Sequence, residues 1–206
     1  FANPDKWFEL DAEQDKLLRE LAMMRMVCDT NYILNPEERD CPKLGELEKI
    51  LEECKQNEDV KVIIFSEWER MLELVRELCQ KLGLGFAWHT GSVPQRRRRG
   101  EITAFKNDPA CRVFLSTDSG STGLNLQNAS VVVNCDLPWN PAKFEQRIAR
   151  AWRKHQTRPV TVINMIPGSE DLPWGPWDVP PCARTSHGRG WPTPRGPPPL
   201  RPGRAA

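Results

Sequence analysis

Apolar residues recur along the first 166 positions with two different spacings. In residues 8–27 and 43–55 they fall three or four positions apart, which predicts two amphipathic helices, the first ending near Asn31 and Pro36. Residues 61–65, Lys-Val-Ile-Ile-Phe, form a β-branched run bounded by polar residues. Such a run is typical of a strand that is buried on both faces.

The two patterns then alternate as far as Ile166. The sequence predicts helices over 68–82, 94–106 and 141–152, and strands over 85–88, 112–115, 130–134 and 159–166. Ser66 is predicted to cap the helix that begins near Trp68, and Gly83 is predicted to end it. Strands and helices that alternate at this pitch form crossover units, so we expect an α/β fold with a parallel sheet.

The composition changes after Ile166, because residues 167–206 contain most of the 19 prolines and almost no aliphatic residues. A segment of this kind cannot bury enough apolar surface to offset its ordering entropy, so a disordered tail is predicted. A polyproline ligand in Gly-Pro-Pro-Pro-Leu-Arg-Pro, a tail without function and translation past a frameshift all fit this composition.

Overall composition excludes several classes of protein. The net charge of +1 gives no global attraction to nucleic acid or membranes, so a site for a polyanion must come from local clustering. No apolar run approaches the ~18 residues of a membrane span, and the N-terminus lacks a signal pattern, so we expect a soluble intracellular protein. Seven cysteines without a CxxC pair favour reduced thiols, with no metal site and no disulfide framework.

Three polar loops directly follow predicted strands, and ligands bind at the carboxyl ends of strands in an open parallel sheet. The loops are Phe-Ser-Glu-Trp (65–68), His-Thr-Gly-Ser (89–92) and a longer glycine-bearing loop (116–126). In the longest loop, Gly120 and Gly123 permit close approach of the backbone to a phosphate, and Ser116 and Thr117 supply short hydroxyl donors. Taken alone, this loop fits an ordinary turn as well as a phosphate site.

Three arginines, Arg147, Arg150 and Arg153, recur at helical spacing on the predicted helix 141–152 and just beyond it. A solvated basic face is one interpretation. The other is a phosphate site, because the helix follows a strand and a Trp-Asn-Pro turn that direct it toward the same sheet edge as the loops. Arginine suits a triphosphate, since its rigid guanidinium binds phosphate oxygens bidentately and keeps its charge.

Five motifs in order resemble motifs IV to VI of the second RecA-like lobe of Swi/Snf-type DNA translocases in helicase superfamily two. They are VIIFSEW, HTGSVPQRRRRGEITAF, STDSGSTGLNL, VVVNCDLPWNP and QRIARAWRKHQ. The resemblance implies a three-layer α/β fold of the P-loop NTPase type over residues 43–166, with helices on both faces of the sheet. It also implies that residues 1–42 are a helical segment from the inter-lobe region and that the tail, residues 167–206, follows the lobe.

The resemblance also implies roles for individual residues. Arg150 and Arg153 would be arginine fingers on the γ-phosphate of ATP that is held by the first lobe. The ATP site would be lined by Gly120, Gly123, Asn125 and Gln146. The nucleic-acid backbone would be contacted by Ser92, Ser116 and Thr117.

The sequence contains no GxxxxGK[ST] motif and no DExH-type acidic pair, so ATP and magnesium would be bound mainly by the first lobe. We therefore expect the C-terminal lobe of an ATP-dependent double-stranded-DNA translocase or helicase-like remodeller, inactive alone. Its partners would be double-stranded DNA and the first lobe, in the nucleus of a eukaryote or the cytoplasm (nucleoid) of a bacterium. An RNA helicase lobe, or a non-catalytic binding module that uses Arg96–Arg99, remains open.

Overall fold

The computed structural model describes residues 4–118, 124–152, 159–166 and 185–186. The helices are α1 (Pro4–Asp29), α2 (Lys43–Lys55), α3 (Glu69–Lys81), α4 (Gln95–Asn107) and α5 (Pro141–Ala151), with a 3₁₀ turn at Asn31–Ile33. The strands are β1 (Val62–Phe65), β2 (Gly85–His89), β3 (Cys111–Ser116), β4 (Val131–Asn134), β5 (Thr161–Asn164) and β6 (Thr185–Ser186).

The strands form one sheet in the order β2-β3-β1-β4-β5-β6. Strands β1 to β5 are mutually parallel, and β6 pairs antiparallel with β5. The predicted α/β fold with a parallel sheet is therefore confirmed. The helix and strand bounds agree with the predicted ones to within a few residues, the main differences being an earlier start for α1 and a shorter β5.

Side chains of β1 alternate between two separate cores. Val62 and Ile64 pack with the buried faces of α2 and α3, which include Leu47 and Leu72. On the other side of the sheet, the partners of Ile63 and Phe65 include Phe105 of α4 and Ala151 of α5. Because all four residues of β1 are buried, the sheet is the middle of three layers.

The two ends of α3 compare differently with the predictions. Gly83 ends the helix as predicted: its φ is 68°, and the N–H groups of Gly83 and Leu84 bond back to the last turn. Ser66 is not the cap, because α3 begins at Glu69 and its flanking residue Trp68 makes no side-chain capping bond. The Ser66 hydroxyl instead donates to the buried carboxylate of Asp136 and accepts the Trp68 N–H.

None of the helices in the described residues is long and apolar enough to cross a membrane. The predictions for the tail, residues 167–206, lie outside the described residues apart from Thr185 and Ser186. These two residues form β6, a strand that the sequence did not predict.

Candidate nucleotide and nucleic-acid site

Four neighbouring strands end at the same edge of the sheet, and a polar loop follows each of them. In sheet order, the first residues after β2, β3 and β1 are Thr90, Thr117 and Ser66, and Asp136 lies two residues after β4. The loops that the sequence singled out are thus brought to one edge, as expected for a parallel sheet.

A buried arginine lies at the centre of this edge. Arg147 of α5 is 1% exposed. Its Nε and Nη2 donate to the two carboxylate oxygens of Asp118 at 2.6 and 3.0 Å, and Nη2 also donates to Oδ1 of Asp136 at 2.9 Å. Its Nη1 donates to the Asp136 carbonyl at 2.7 Å and to Oδ1 of Asn134 at 3.4 Å.

The second oxygen of the Asp136 carboxylate connects this arginine to β1. Oδ2 accepts bonds from the Ser66 hydroxyl and the Glu67 N–H, both at 2.7 Å. We call these residues, Ser66, Asp118, Asn134, Asp136 and Arg147, the Arg147 cluster. The cluster ties the ends of β1, β3 and β4 to helix α5.

Charge pairing keeps Arg147 ionised inside this cluster. Burial alone lowers its pKa, but the hydrogen bonds and charges of Asp118 and Asp136 outweigh burial and raise the pKa above its ordinary value. Sequence spacing had grouped Arg147 with Arg150 and Arg153, whereas the structure assigns Arg147 to the interior. Asp118 and Asp136, which each lie two residues after the end of β3 and β4, were the available signal for such a partner.

The candidate finger Arg150 lies one turn further along α5 and is half-buried. Its backbone carbonyl accepts the N–H of buried Leu126 at 2.9 Å, which joins the glycine-bearing loop to the end of α5. Gln146 is exposed on the same helix. Arg153, the second candidate finger, lies outside the described residues.

The glycine-bearing loop is described only at its two ends. Ser116 is fully buried, and its hydroxyl donates to the Thr117 carbonyl at 3.1 Å. Thr117 is also buried, whereas Asn125 is exposed and accepts the Gln127 N–H with its side-chain oxygen at 3.4 Å. Gly120 and Gly123 lie outside the described residues.

Ser92 lies at the β2 end of the edge in a small hydroxyl–carboxylate group. The exposed Ser92 hydroxyl donates to Oε1 of Glu69 at 2.5 Å, and the buried Thr90 hydroxyl donates to the same oxygen at 2.9 Å. The two hydroxyl oxygens are 2.9 Å apart. We call Glu69, Thr90 and Ser92 the Glu69 triad; sequence analysis had selected only Ser92.

One of the four successive arginines supports the Ser92 loop. Arg98 donates from Nε to the Val93 carbonyl at 2.5 Å and from Nη2 to the Gly91 carbonyl at 3.3 Å. The other three, Arg96, Arg97 and Arg99, are exposed. The run therefore divides into one residue that shapes the loop and three on the surface.

The C-terminal end of α1 also reaches this edge. Arg25 donates to Glu67 at 2.7 Å and to the Leu137 carbonyl at 3.1 Å, and its guanidinium lies 5.5 Å from the centre of the Trp139 ring. Asp29 is paired with the Lys43 ammonium, which also donates to a carbonyl after β4. Among the described residues, no group of three or more His, Cys, Asp or Glu side chains is arranged to hold a metal ion.

A protein-family model matches the part of the chain that contains the Arg147 cluster and the Glu69 triad. The model for the helicase conserved C-terminal domain matches residues 42–155, more than half of the chain. The chain belongs to this family. Its similarity to relatives and solved structures shows that it is a C-terminal lobe of the Snf2 type, with the RecA-like fold.

Two curated relatives illustrate the relationship. The chain is 32% identical over 166 residues to the SWI/SNF-related matrix-associated actin-dependent regulator of chromatin subfamily A member 1 of Mus musculus, an alignment covering 73% of the chain and 16% of that protein. It is 32% identical over 171 residues to a DNA repair and recombination protein RAD54-like of Drosophila willistoni, which covers 80% and 21%. The chain therefore spans about a fifth or less of these relatives.

Solved structures show the same similarity. The Sulfolobus solfataricus SWI2/SNF2 ATPase core in complex with double-stranded DNA matches with a TM-score of 0.62 and 28% identity, over 73% of this chain and 32% of that one. The C-terminal part of the Fun30 ATPase domain matches with a TM-score of 0.57 and 28% identity, over 61% and 41%.

Proposed function

We propose that this lobe completes the ATP site of a double-stranded-DNA translocase by supplying arginine fingers, and that it contacts the DNA backbone. The observation that carries the proposal is the Arg147 cluster, which fixes the helix bearing Arg150 to the end of β3, where the loop that begins with Ser116 and Thr117 starts. A nucleotide contact and a DNA contact on one rigid edge are what coupling of hydrolysis to movement requires.

The side chains present fit the phosphates of ATP better than its metal ion. Asp118 and Asp136 are both bound to Arg147, so these two carboxylates are committed to a guanidinium. When bound, ATP supplies the phosphoryl group that is transferred, and magnesium neutralises its charge. The metal would be held by the first lobe, which is the partner we propose for this one.

Arg150 would stabilise negative charge on the transferred group, together with Arg153. A guanidinium offers a planar pair of N–H donors for two phosphate oxygens. Arg147 would hold the helix so that Arg150 needs no reordering when the lobes close, since positioning accounts for much of such catalysis. Gly120, Gly123, Asn125 and Gln146 are proposed to line the same nucleotide cleft.

The DNA contacts would come from the other loops. We assign Ser92 and Thr117 to backbone phosphates, which fix register without reading sequence. Thr117 is buried but 6% exposed, whereas Ser116 is 0% exposed and would act by shaping the turn that presents Thr117. A similar structure is an ATPase core in complex with double-stranded DNA, which supports duplex DNA as the partner, in the nucleus of a eukaryote or the nucleoid of a bacterium.

The test uses the two-lobe enzyme that carries this chain, with DNA-stimulated ATP hydrolysis and DNA affinity measured on the same preparations. Arg150→Lys and Arg153→Lys retain charge but lose the bidentate geometry, so the rate of hydrolysis should fall at least ~10²-fold with little change in DNA affinity. Arg97→Lys, on the exposed run, is the matched control and should leave hydrolysis unchanged.

The DNA contacts predict the opposite selectivity. Ser92→Ala and Thr117→Ala should lower DNA stimulation more than basal hydrolysis, because these hydroxyls are assigned to the DNA strand. If the lysine variants at positions 150 and 153 retained hydrolysis but lost DNA affinity, the end of α5 would be a DNA-binding surface and the finger assignment would be wrong.

A further inference from the structure

The Glu69 triad has more hydrogen-bond contacts than protons to fill them. Three contacts link Glu69, Thr90 and Ser92: two hydroxyl–carboxylate bonds and one hydroxyl–hydroxyl approach. Each hydroxyl carries a single proton, and the carboxylate is only an acceptor. With both protons donated to Glu69, the Ser92 oxygen has only lone pairs left for any further partner.

This arrangement opposes the DNA contact assigned to Ser92. A phosphate is also only an acceptor, so Ser92 can bind it only by donating the proton that Glu69 now receives. Bonds from a hydroxyl to a carboxylate are short and strong. Thr90 is buried beside Glu69, whereas Ser92 is exposed, so Ser92 is the hydroxyl that a phosphate can reach.

We propose that Glu69 is a positioning residue that competes with DNA phosphate for the hydroxyl proton of Ser92. The inference rests on the proposed Ser92–phosphate contact. Glu69 holds Ser92 in an inward state, and DNA binding requires Ser92 to leave it. A half-buried carboxylate is hydrated when Ser92 leaves, so the exchange is reversible. Competition from Glu69 weakens the Ser92–phosphate contact. A weak contact suits a translocase, which must release each phosphate in order to move.

The test is a double-mutant cycle on the 206-residue chain, with binding of a fluorescent DNA duplex measured by anisotropy at low ionic strength. Glu69→Gln keeps the shape and a weaker neutral acceptor, so affinity should rise at least about threefold. Ser92→Ala should lower affinity. In the Ser92→Ala background, Glu69→Gln should change affinity by less than about twofold, because there is no proton left to release.

Two further variants make the cycle decisive. Glu77→Gln removes the same charge from the same helix at a site paired with Arg39, and it should leave affinity unchanged. Glu69→Asp shortens the side chain but keeps its charge, so it should also tighten binding in a Ser92-dependent way. Thermal unfolding followed by circular dichroism identifies any variant that fails to fold, and the aspartate variant then replaces the glutamine variant.

The outcomes separate this inference from the proposed function. Equal tightening by Glu69→Gln in both backgrounds would show that the charge acts directly on phosphate, which overturns proton competition. Unchanged affinity for Glu69→Gln and Glu69→Asp, with a weakened Ser92→Ala, overturns the role of Glu69 and leaves the Ser92 contact standing. An unaffected Ser92→Ala, or no binding by the parent chain, overturns the DNA contact itself.

Discussion

The Arg147 cluster and the Glu69 triad lie along one edge of the same sheet, but they differ in their access to water. In the cluster, Arg147, Asp136 and Ser66 are buried, and each of the three bonds to at least one other member. In the triad, Glu69 is half-buried and Ser92 is exposed. A polar group that is buried away from water keeps a fixed geometry, whereas a polar group that water reaches can exchange its partner for a ligand or for water. Ser66 therefore serves as structure in the cluster, whereas Ser92 in the triad is the serine proposed to contact DNA.

The largest expected effect on stability comes from removing the arginine of the buried Arg147 cluster. Arg147→Met leaves two carboxylates without their guanidinium, and breaking a buried ion pair in this way costs about 3–5 kcal/mol. The free energy of unfolding of the 206-residue chain in urea should fall by that amount. Arg150→Met, on the half-buried turn of the same helix, is the control and should cost less than about half as much. Equal losses for the two variants would mean that Arg147 and its cluster stabilise the chain no more than the half-buried Arg150 does.

A pH titration tests a second buried ion pair next, that of Asp29 with Lys43, which lies near enough to the cluster for the Asp136 charge to act on it. Burial raises the pKa of Asp29 from 3.8 to about 6; the Lys43 charge lowers it and the Asp136 charge raises it. The folded pKa lies above the unfolded one, so the folded state favours the protonated form of Asp29. The resulting contribution to the free energy of unfolding is fully present below pH 3.8 and is lost as the pH rises through about 6. Relative to Asp29→Asn, the parent chain should lose roughly 2–3 kcal/mol between these limits.

Urea unfolding of both proteins at several pH values measures this difference. A parallel pH dependence of the two chains would contradict the assignment to Asp29.

A smaller loss is expected when one donor is removed from the cluster. Ser66→Ala takes a hydroxyl from the buried Asp136 carboxylate, which should cost about 1–2 kcal/mol of unfolding free energy. The remaining bonds to Asp136 come from Glu67 N–H and Arg147, and they limit the loss. A change below about 0.3 kcal/mol would show that this hydroxyl is dispensable to the cluster.

The smallest effect is expected in the triad. Ser92→Ala removes a bond to a carboxylate that water also reaches, so the free energy of unfolding should change by less than about 0.5 kcal/mol. The same variant is expected to weaken DNA binding. If it destabilised the chain as much as Ser66→Ala does, the triad would be a structural element and the contrast between the two regions would fail.

The architecture was largely readable from the sequence, because it depends on local periodicity. Helix α2 begins and ends at the predicted residues, Lys43 and Lys55, since its apolar positions repeat at helical spacing. Strand β1 was recognisable because β-branched residues fill both of its faces. The convergence of loops at one edge followed from the parallel sheet alone.

The roles of the individual polar residues could not be predicted from the sequence. The three-residue spacing of Arg147 and Arg150 does not reveal which of them faces inward, because the Arg147 partners lie 29 and 11 residues away in sequence. Likewise Glu69 meets Ser92 across a separation of 23 residues. Ser66 was assigned to a local cap because its true acceptor, Asp136, is 70 residues distant. Such pairings depend on tertiary packing.

The central position of β1 has a consequence for how the lobe folds. Val62 pairs with Val113 on one side and with Val131 on the other, so both neighbours of β1 are about 50 to 70 residues away in the chain. Closing such long loops costs entropy before any ladder forms, so we expect slow folding. Amide protons of Ile63 and Ile64 would then exchange with solvent only through unfolding of the whole lobe.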